Sequence, residues 1–330
     1  MNTHRQVEKE VIPGNHNSRF LKWIGRLIIL IVGLVIAGFI YESISEIVDA
    51  RSYPPPGKMV DVGGYRLHLN CMGSGNPTVI IESGWGNSSA IWGWVQPEVA
   101  KNTRVCTYDR AGMGWSEVSP EPRTAREFAK ELHTLLKKGN ESGPYVLVGH
   151  SLGGYTVRVY ANDYPAEVAG VVFVDPQNIS LSEDSTPAPA PKPGGFSIPM
   201  LMARLGIVRL LAGPLGAIED LPDKDKYAYA ANAVSTRSVQ TFWDEGEGMS
   251  EGVAQARAVT TLGELPLIVL SRGKAMDAES AESQSRYLKL STNNLHLVAD
   301  NSDHGIMIEQ PDAAVGAILK MVELVRLEVK

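Results

Sequence analysis

The sequence predicts an α/β domain built on a largely parallel sheet, and three observations carry that reading. Short apolar, β-branched runs recur along the chain, helical patterns separate the later runs, and those later runs are apolar almost throughout. Eight such runs stand out, over residues 58–62, 65–71, 78–82, 104–108, 145–148, 168–174, 267–270 and 295–299. Gly63-Gly64 between the first two reads as a hairpin turn. The clearest helix spans 124–138, with Ala125, Phe128, Leu132, Leu135 and Leu136 on one face, and a second closes the chain over 313–329.

The chain has 330 residues, of which 44% are apolar, enough for one large domain plus an accessory segment. This composition excludes a disordered chain. The net charge of -6 is spread out and no basic stripe faces a phosphate backbone, so no nucleic-acid partner is expected. Cys71 and Cys106 are the two cysteines, in no zinc-ligand spacing. Two buried thiols are the favoured reading, with one disulfide in an exported domain as the alternative.

Residues 27–41 carry no charge, with Trp23 and Ile24 extending the run past Arg26. Fifteen residues fall short of the roughly 20 that span a bilayer, though Arg26 can snorkel and add a turn. Arg5, Lys9, Arg19, Lys22 and Arg26 precede the run, whereas Glu42, Glu46 and Asp49 follow it. That asymmetry predicts a single-pass anchor with its N-terminus in the cytoplasm and the remainder on the non-cytoplasmic side. A cleavable signal peptide competes, but no compact A-x-A site follows the run; Val48-Asp49-Ala50 is a weak substitute.

One stretch, from 177 to about 262, separates two strands by more than a crossover helix requires. It opens on a Pro-rich run over 186–195 and continues with Met200, Leu201, Leu205, Val208 and Leu211 at helical spacing over 198–211. A more polar pattern begins near Asp223. The expected organisation is a polar tail over 1–19, a transmembrane signal-anchor over 20–45 and a Pro-rich linker over 46–57. The core follows in two parts, 58–176 and 263–330, around a helical cap over 177–262.

The strongest chemical signal is Gly149-His150-Ser151-Leu152-Gly153, between the run 145–148 and a helix-compatible stretch. A serine on a tight strand-to-helix turn projects its oxygen into a cleft, where the helix N-terminus stabilises nearby negative charge. Three further motifs follow other strands: Ser83-Gly84-Trp85-Gly86, residues 108–116 (YDRAGMGWS) and Asp303-His304-Gly305. With these four in order, residues 58–330 resemble the α/β-hydrolase family.

The resemblance implies an eight-stranded α/β-hydrolase fold with Ser151 as nucleophile and His304 as general base. It also implies an oxyanion hole formed by the backbone N–H groups of Trp85 and Leu152, the departure being Ser83 where the family commonly has His. For the acid, many family members place it after the strand ending at Ser271, which nominates Asp277. Pancreatic-type lipases and some dehalogenases place it one strand earlier, at Asp175. Asp175 on a strand tip is favoured, because an acid that orients imidazole must be buried and rigid. Asp109 and Arg110 read as a buried structural pair holding their loop.

The expected activity is therefore hydrolysis of small carboxylic esters, apolar ones preferred, with neither cofactor nor metal and with the membrane contacted through the N-terminal helix. A serine nucleophile argues against dehalogenase and epoxide-hydrolase chemistry. Amide hydrolysis, carbon–carbon bond hydrolysis or acyl transfer can use the same residues. From a different class, a membrane-tethered binding protein on an inactive hydrolase fold is the alternative.

Overall fold

The computed structural model describes residues 16–179, 189–212 and 218–328. Most of the polar tail and part of the Pro-rich run therefore lie outside the described residues.

The chain opens with a helix, α1 (His16–Ser52), whose outer surface is apolar and exposed over most of its length. Its stretch Phe20–Ser52 is long and apolar enough to cross a membrane. The expected break at residue 46 is absent. α1 continues to Ser52, because Glu42 and Asp49 are held by Arg209, and Glu46 accepts from the Thr236 N–H. The spacer is thus residues 53–57 rather than 46–57.

Eight strands follow: β1 (Lys58–Asp61), β2 (Arg66–Met72), β3 (Thr78–Glu82), β4 (Val105–Tyr108), β5 (Tyr145–His150), β6 (Val168–Val174), β7 (Leu267–Arg272) and β8 (Asn294–Ala299). They form one sheet in the order β1-β2-β4-β3-β5-β6-β7-β8. Only the β1–β2 and β2–β4 pairs are antiparallel. Gly63 and Gly64 turn the first hairpin with φ of 128° and 106°, and Asp61 Oδ1 accepts from both their N–H groups.

The register sets Cys71 opposite Cys106 across β2 and β4, and the two form a disulfide rather than two free thiols. Side-chain alternation splits the core between the two faces of the sheet. Leu147, Val171, Phe173 and Val269 pack on one face; Val146, Val148, Val172, Val174 and Ile268 pack on the other.

Between the early strands lies α2 (Val95–Ala100), followed by α3 (Ala125–Lys138) and α4 (Gly153–Asp163). Thr124 caps α3 by accepting from the Glu127 N–H, while Lys137 and Lys138 meet the negative end of its dipole. The segment after β6 contains α5 (Ile198–Arg204), α6 (Ile207–Ala212), α7 (Asp223–Ala233) and α8 (Thr236–Ala258). The single helix expected over 198–211 is two, broken at Gly206 with φ +70°. The chain ends with α9 (Ala278–Leu288), α10 (Ile306–Glu309) and α11 (Pro311–Glu328).

The two short helices α5 and α6 pack against α1, and α8 reaches the loops after β3 and β4.

Candidate active site

Ser151 stands between β5 and α4 with φ +51°, a left-handed conformation that a serine adopts only where its surroundings impose it. The glycines on either side explain how the turn is packed so tightly. A methyl on Gly149 would come within 2.6 Å of the Gly153 carbonyl oxygen, and one on Gly153 within 2.7 Å of the Glu82 carbonyl oxygen. The loop after β3 passes just above, since a methyl on Gly84 would lie 3.1 Å from Ser151 Cβ. Among the described residues, neither the Trp85 nor the Leu152 backbone N–H has an acceptor, so both are free to donate.

Asp175, at the tip of β6, has φ +38° and is buried. It lies against His304, whose Nδ1 is 2.5 Å from Asp175 Oδ2. The same carboxylate accepts from Arg272 N at 3.3 Å, Arg272 Nη1 at 3.2 Å and Gln284 Nε2 at 3.2 Å. Four donors fix its orientation. Asp277 is elsewhere: it caps α9, accepting from the Ser280 N–H at 2.6 Å, and those backbone bonds hold its carboxyl below the usual range.

The remaining histidines in the described core have other partners. His68 meets Asp109, His133 meets Glu167 and His296 meets Ser271. His150 Nε2 donates to the His304 carbonyl at 3.0 Å, and burial pushes the His150 imidazole down to about 3. It is therefore a neutral brace beneath the His304 loop.

One link is not made. Ser151 Oγ donates to Gln177 Oε1 at 3.1 Å, and among the described residues the Nε2 of His304 has no hydrogen-bond partner. Gln177 also donates its backbone N–H to the Ser151 carbonyl at 3.1 Å. No motif singles Gln177 out; its position two residues after Asp175 is the one clue the sequence offers.

Asp109 and Arg110 do not pair with each other. Asp109 accepts from Ser89 N and Trp115 N and meets His68, fixing its own loop. Arg110 points the other way. It bridges buried Glu82 and Glu245 and donates to the carbonyls of Ser83 and Gly84, while Tyr108 donates to Glu82. Glu245 belongs to α8 and also accepts from Gly86 N at 3.2 Å. Trp85 stacks on Phe242 of the same helix at 4.3 Å and donates to its carbonyl. The loop carrying the free Trp85 N–H is thus clamped between Arg110 below and α8 above.

One guanidinium compensates two buried carboxylates, and burial pushes Glu82 up to about 7 despite its bond to Arg110. Folded protein then keeps the Glu82 proton up to about pH 7, whereas the unfolded chain loses it above its ordinary 4.5. Unfolding releases a proton between those values, so this group makes stability fall as pH rises across them. The melting temperature of the native chain is therefore expected to drop relative to Glu82→Gln between about pH 5 and pH 8. A native chain that gains on the variant over that range would contradict the assignment.

A cavity of about 720 Å³ lies between α1, the cap and the core, lined among others by Phe39, Ala111, Val118, Met200, Arg204 and Arg237. Ser151, Asp175 and His304 are not among its lining residues. Met200 thus helps wall a space beside α1, not one over the nucleophile as expected.

Residues 77–205 match the family model described as the α/β hydrolase fold. An uncharacterized protein of Schizosaccharomyces pombe is 27% identical over 77% of this chain and 53% of its own length, so the chain spans about half of that relative. A 2-hydroxy-6-oxo-6-(2'-aminophenyl)hexa-2,4-dienoic acid hydrolase of Metapseudomonas resinovorans is 23% identical over 80% of this chain and 90% of its own. Among solved structures, the epoxide hydrolase CorEH superposes with a TM-score of 0.62 at 21% identity, covering 81% of this chain and 98% of that one. The chain has the α/β-hydrolase fold, and its central part matches the model of that family. Fold and match together support a hydrolase.

Proposed function

We propose that the chain is a membrane-anchored serine hydrolase that cleaves carboxylic esters. The observation that carries this reading is the left-handed Ser151 turn beside a histidine whose Nδ1 rests on a buried, four-donor carboxylate.

In the proposed reaction the Ser151 hydroxyl leaves Gln177 and turns to His304 Nε2. Ser151 Oγ attacks the ester carbonyl as His304 takes its proton, and Asp175 stabilises the imidazolium. The carbonyl oxygen, now negative, accepts from the N–H groups of Trp85 and Leu152. Collapse expels the alcohol, protonated by His304, and leaves an acyl-serine. Water, deprotonated by the same ring, releases the acid and restores Ser151.

Substrate preference is read from the aromatic shelf at the loop. Trp85 and Trp243 are both exposed on either side of Phe242, and such surfaces favour apolar groups. A fluorophosphonate probe should label Ser151, and kcat/KM should climb from acetyl to hexanoyl esters, each methylene contributing up to about 0.8 kcal/mol. No labelling defeats the nucleophile assignment; a flat or falling series defeats the apolar acyl site. Turnover of amides in preference to esters would move the reading to an amidase.

The proposed topology puts the N-terminus in the cytoplasm and the catalytic domain outside. The cation asymmetry about α1 supports it. So does the disulfide, a bond that persists in oxidising compartments. Ion pairs from Arg209 to Glu42 and Asp49 favour an uncleaved helix, because cleavage after Ala50 would strip a half-buried arginine of both partners. Protease added to the outer face of intact cells should digest the catalytic domain and spare the tail. The opposite pattern reverses the orientation, and a mature N-terminus near Arg51 establishes a cleaved signal.

A further inference from the structure

The cap carries more exposed apolar surface than a water-facing helix pair needs. Phe196, Ile198, Leu201, Leu210 and Leu211 are 76%, 69%, 41%, 64% and 65% exposed. Five large apolar side chains within sixteen residues mark a surface with a partner.

The place of these residues along α1 identifies the partner. A methyl on Gly38 would lie 2.6 Å from the Leu205 carbonyl oxygen, and one on Gly206 would lie 2.6 Å from the Tyr41 ring. Met200 and Arg204 share a cavity wall with Phe39. The C-terminal end of α5 therefore meets α1 in the final turn of its uncharged stretch, which ends at Tyr41. At about 1.5 Å per residue, Gly38 lies roughly 4–5 Å inside that end. α1 is itself apolar and exposed on both sides of this level, from Phe20 to Val48. The exposed apolar side chains of α5 and α6 thus belong to helices packed beside an exposed apolar helix.

The charges fit the same depth. Arg204, exposed on α5, has no carboxylate partner among the described residues. Arg209, five residues further along and on α6, is paired with Glu42 and Asp49, beyond the apolar stretch. An unpaired cation at the edge of an apolar belt suits lipid phosphate.

We infer that the cap segment from Phe196 to Leu211 is a membrane-docking surface, bedded in the interfacial layer of the phospholipid bilayer that α1 crosses. The inference rests on the reading of α1 as a membrane anchor. The ion pairs of Arg209 lock α5–α6 to α1, so the cap takes its depth from the anchor. The acyl chains of that bilayer are the contacting chemistry on the apolar side, and lipid phosphate on the Arg204 side.

The test uses the full chain in vesicles of phosphatidylcholine and phosphatidylglycerol in equal parts. Ile198→Cys, Leu201→Cys and, as an aqueous control, Lys320→Cys on α11 each receive a polarity-sensitive fluorophore. Fluorophosphonate labelling of Ser151 checks that each variant is folded. In vesicle-bound protein, the probes at 198 and 201 should lose quenching by iodide and gain quenching by lipids brominated near the headgroup, while the probe at 320 does the reverse. Iodide quenching at 198 and 201 equal to that at 320, in protein that floats with the vesicles, overturns the docked cap and leaves the anchor standing. Protection from iodide without lipid quenching shows a second protein copy on the surface and also overturns it. Protein that does not float with the vesicles removes the anchor and the docked cap together.

Discussion

Ser151→Ala and His304→Ala should each leave a folded protein whose ester turnover has dropped by roughly 10³-fold or more. The loss is large because the two side chains act on one proton: without the ring the hydroxyl is a weak nucleophile, and without the hydroxyl the ring has nothing to activate. Folding should survive both changes. Alanine at 151 meets the same φ of +51° that serine already tolerates, and it gives up one hydrogen bond, to Gln177. His304 is 43% exposed, so its truncation opens no core cavity. The double variant should be no slower than the worse of the singles, since members of one relay do not add. Turnover by folded Ser151→Ala at a tenth of the native rate would sink the nucleophile assignment.

Asp175→Asn should cost about 10³- to 10⁴-fold in kcat, whereas Asp277→Asn should leave kcat almost unchanged. The two carboxylates differ in what faces them. Asp175 accepts from His304 Nδ1, Arg272 and Gln284; an amide there offers an N–H to at least one of those donors and turns the ring to the wrong tautomer. Asp277 caps α9, and asparagine caps helices as well as aspartate does. Asp277→Ala is the sharper control, expected to lower stability by about 1 kcal/mol with kcat intact. Measured kcat for the three variants decides the matter, and a reversed order would make Asp277 the acid.

The local patterns in the sequence carried much of this architecture. Short apolar, β-branched runs mark all eight strands to within a few residues, and the central ones are apolar almost throughout because both their faces are buried. The glycines at 149 and 153 announce the turn at Ser151, because the backbone approaches to within van der Waals contact there. Asp175 and His304 could be nominated from strand tips, but their 2.5 Å approach and the engagement of Ser151 by Gln177 depend on side-chain placement across distant loops.

What stayed hidden was set by register and by packing against other elements. Cys71 and Cys106 are 35 residues apart, and only the β2–β4 register puts them face to face. Residues 236–258 carry Gly246, Gly248 and Gly252, which blur a helical pattern. Those glycines answer tertiary neighbours, since a methyl on Gly248 would strike the Arg123 carbonyl and one on Gly246 would press on Trp85. Glu42, Glu46 and Asp49 read as the end of a membrane segment, yet their partners on the cap keep the helix going. Consecutive residues in an extended loop point in opposite directions, so Asp109 and Arg110 serve different neighbours.

The bridge from Arg110 to Glu245 has a bearing on how this enzyme could diverge or be re-engineered. In many two-part folds an inserted segment can be exchanged while the scaffold is left alone. Here the inserted helix α8 supplies a carboxylate to a buried cation of the scaffold, an acceptor to Gly86 and a stacking partner to Trp85. A transplanted segment lacking an acid at position 245 would leave Arg110 with half its compensation and the loop at Trp85 without its upper support. Modularity at this joint is therefore conditional: a donor segment must bring the acid and the aromatic with it, or arrive together with a matching 82–86 loop.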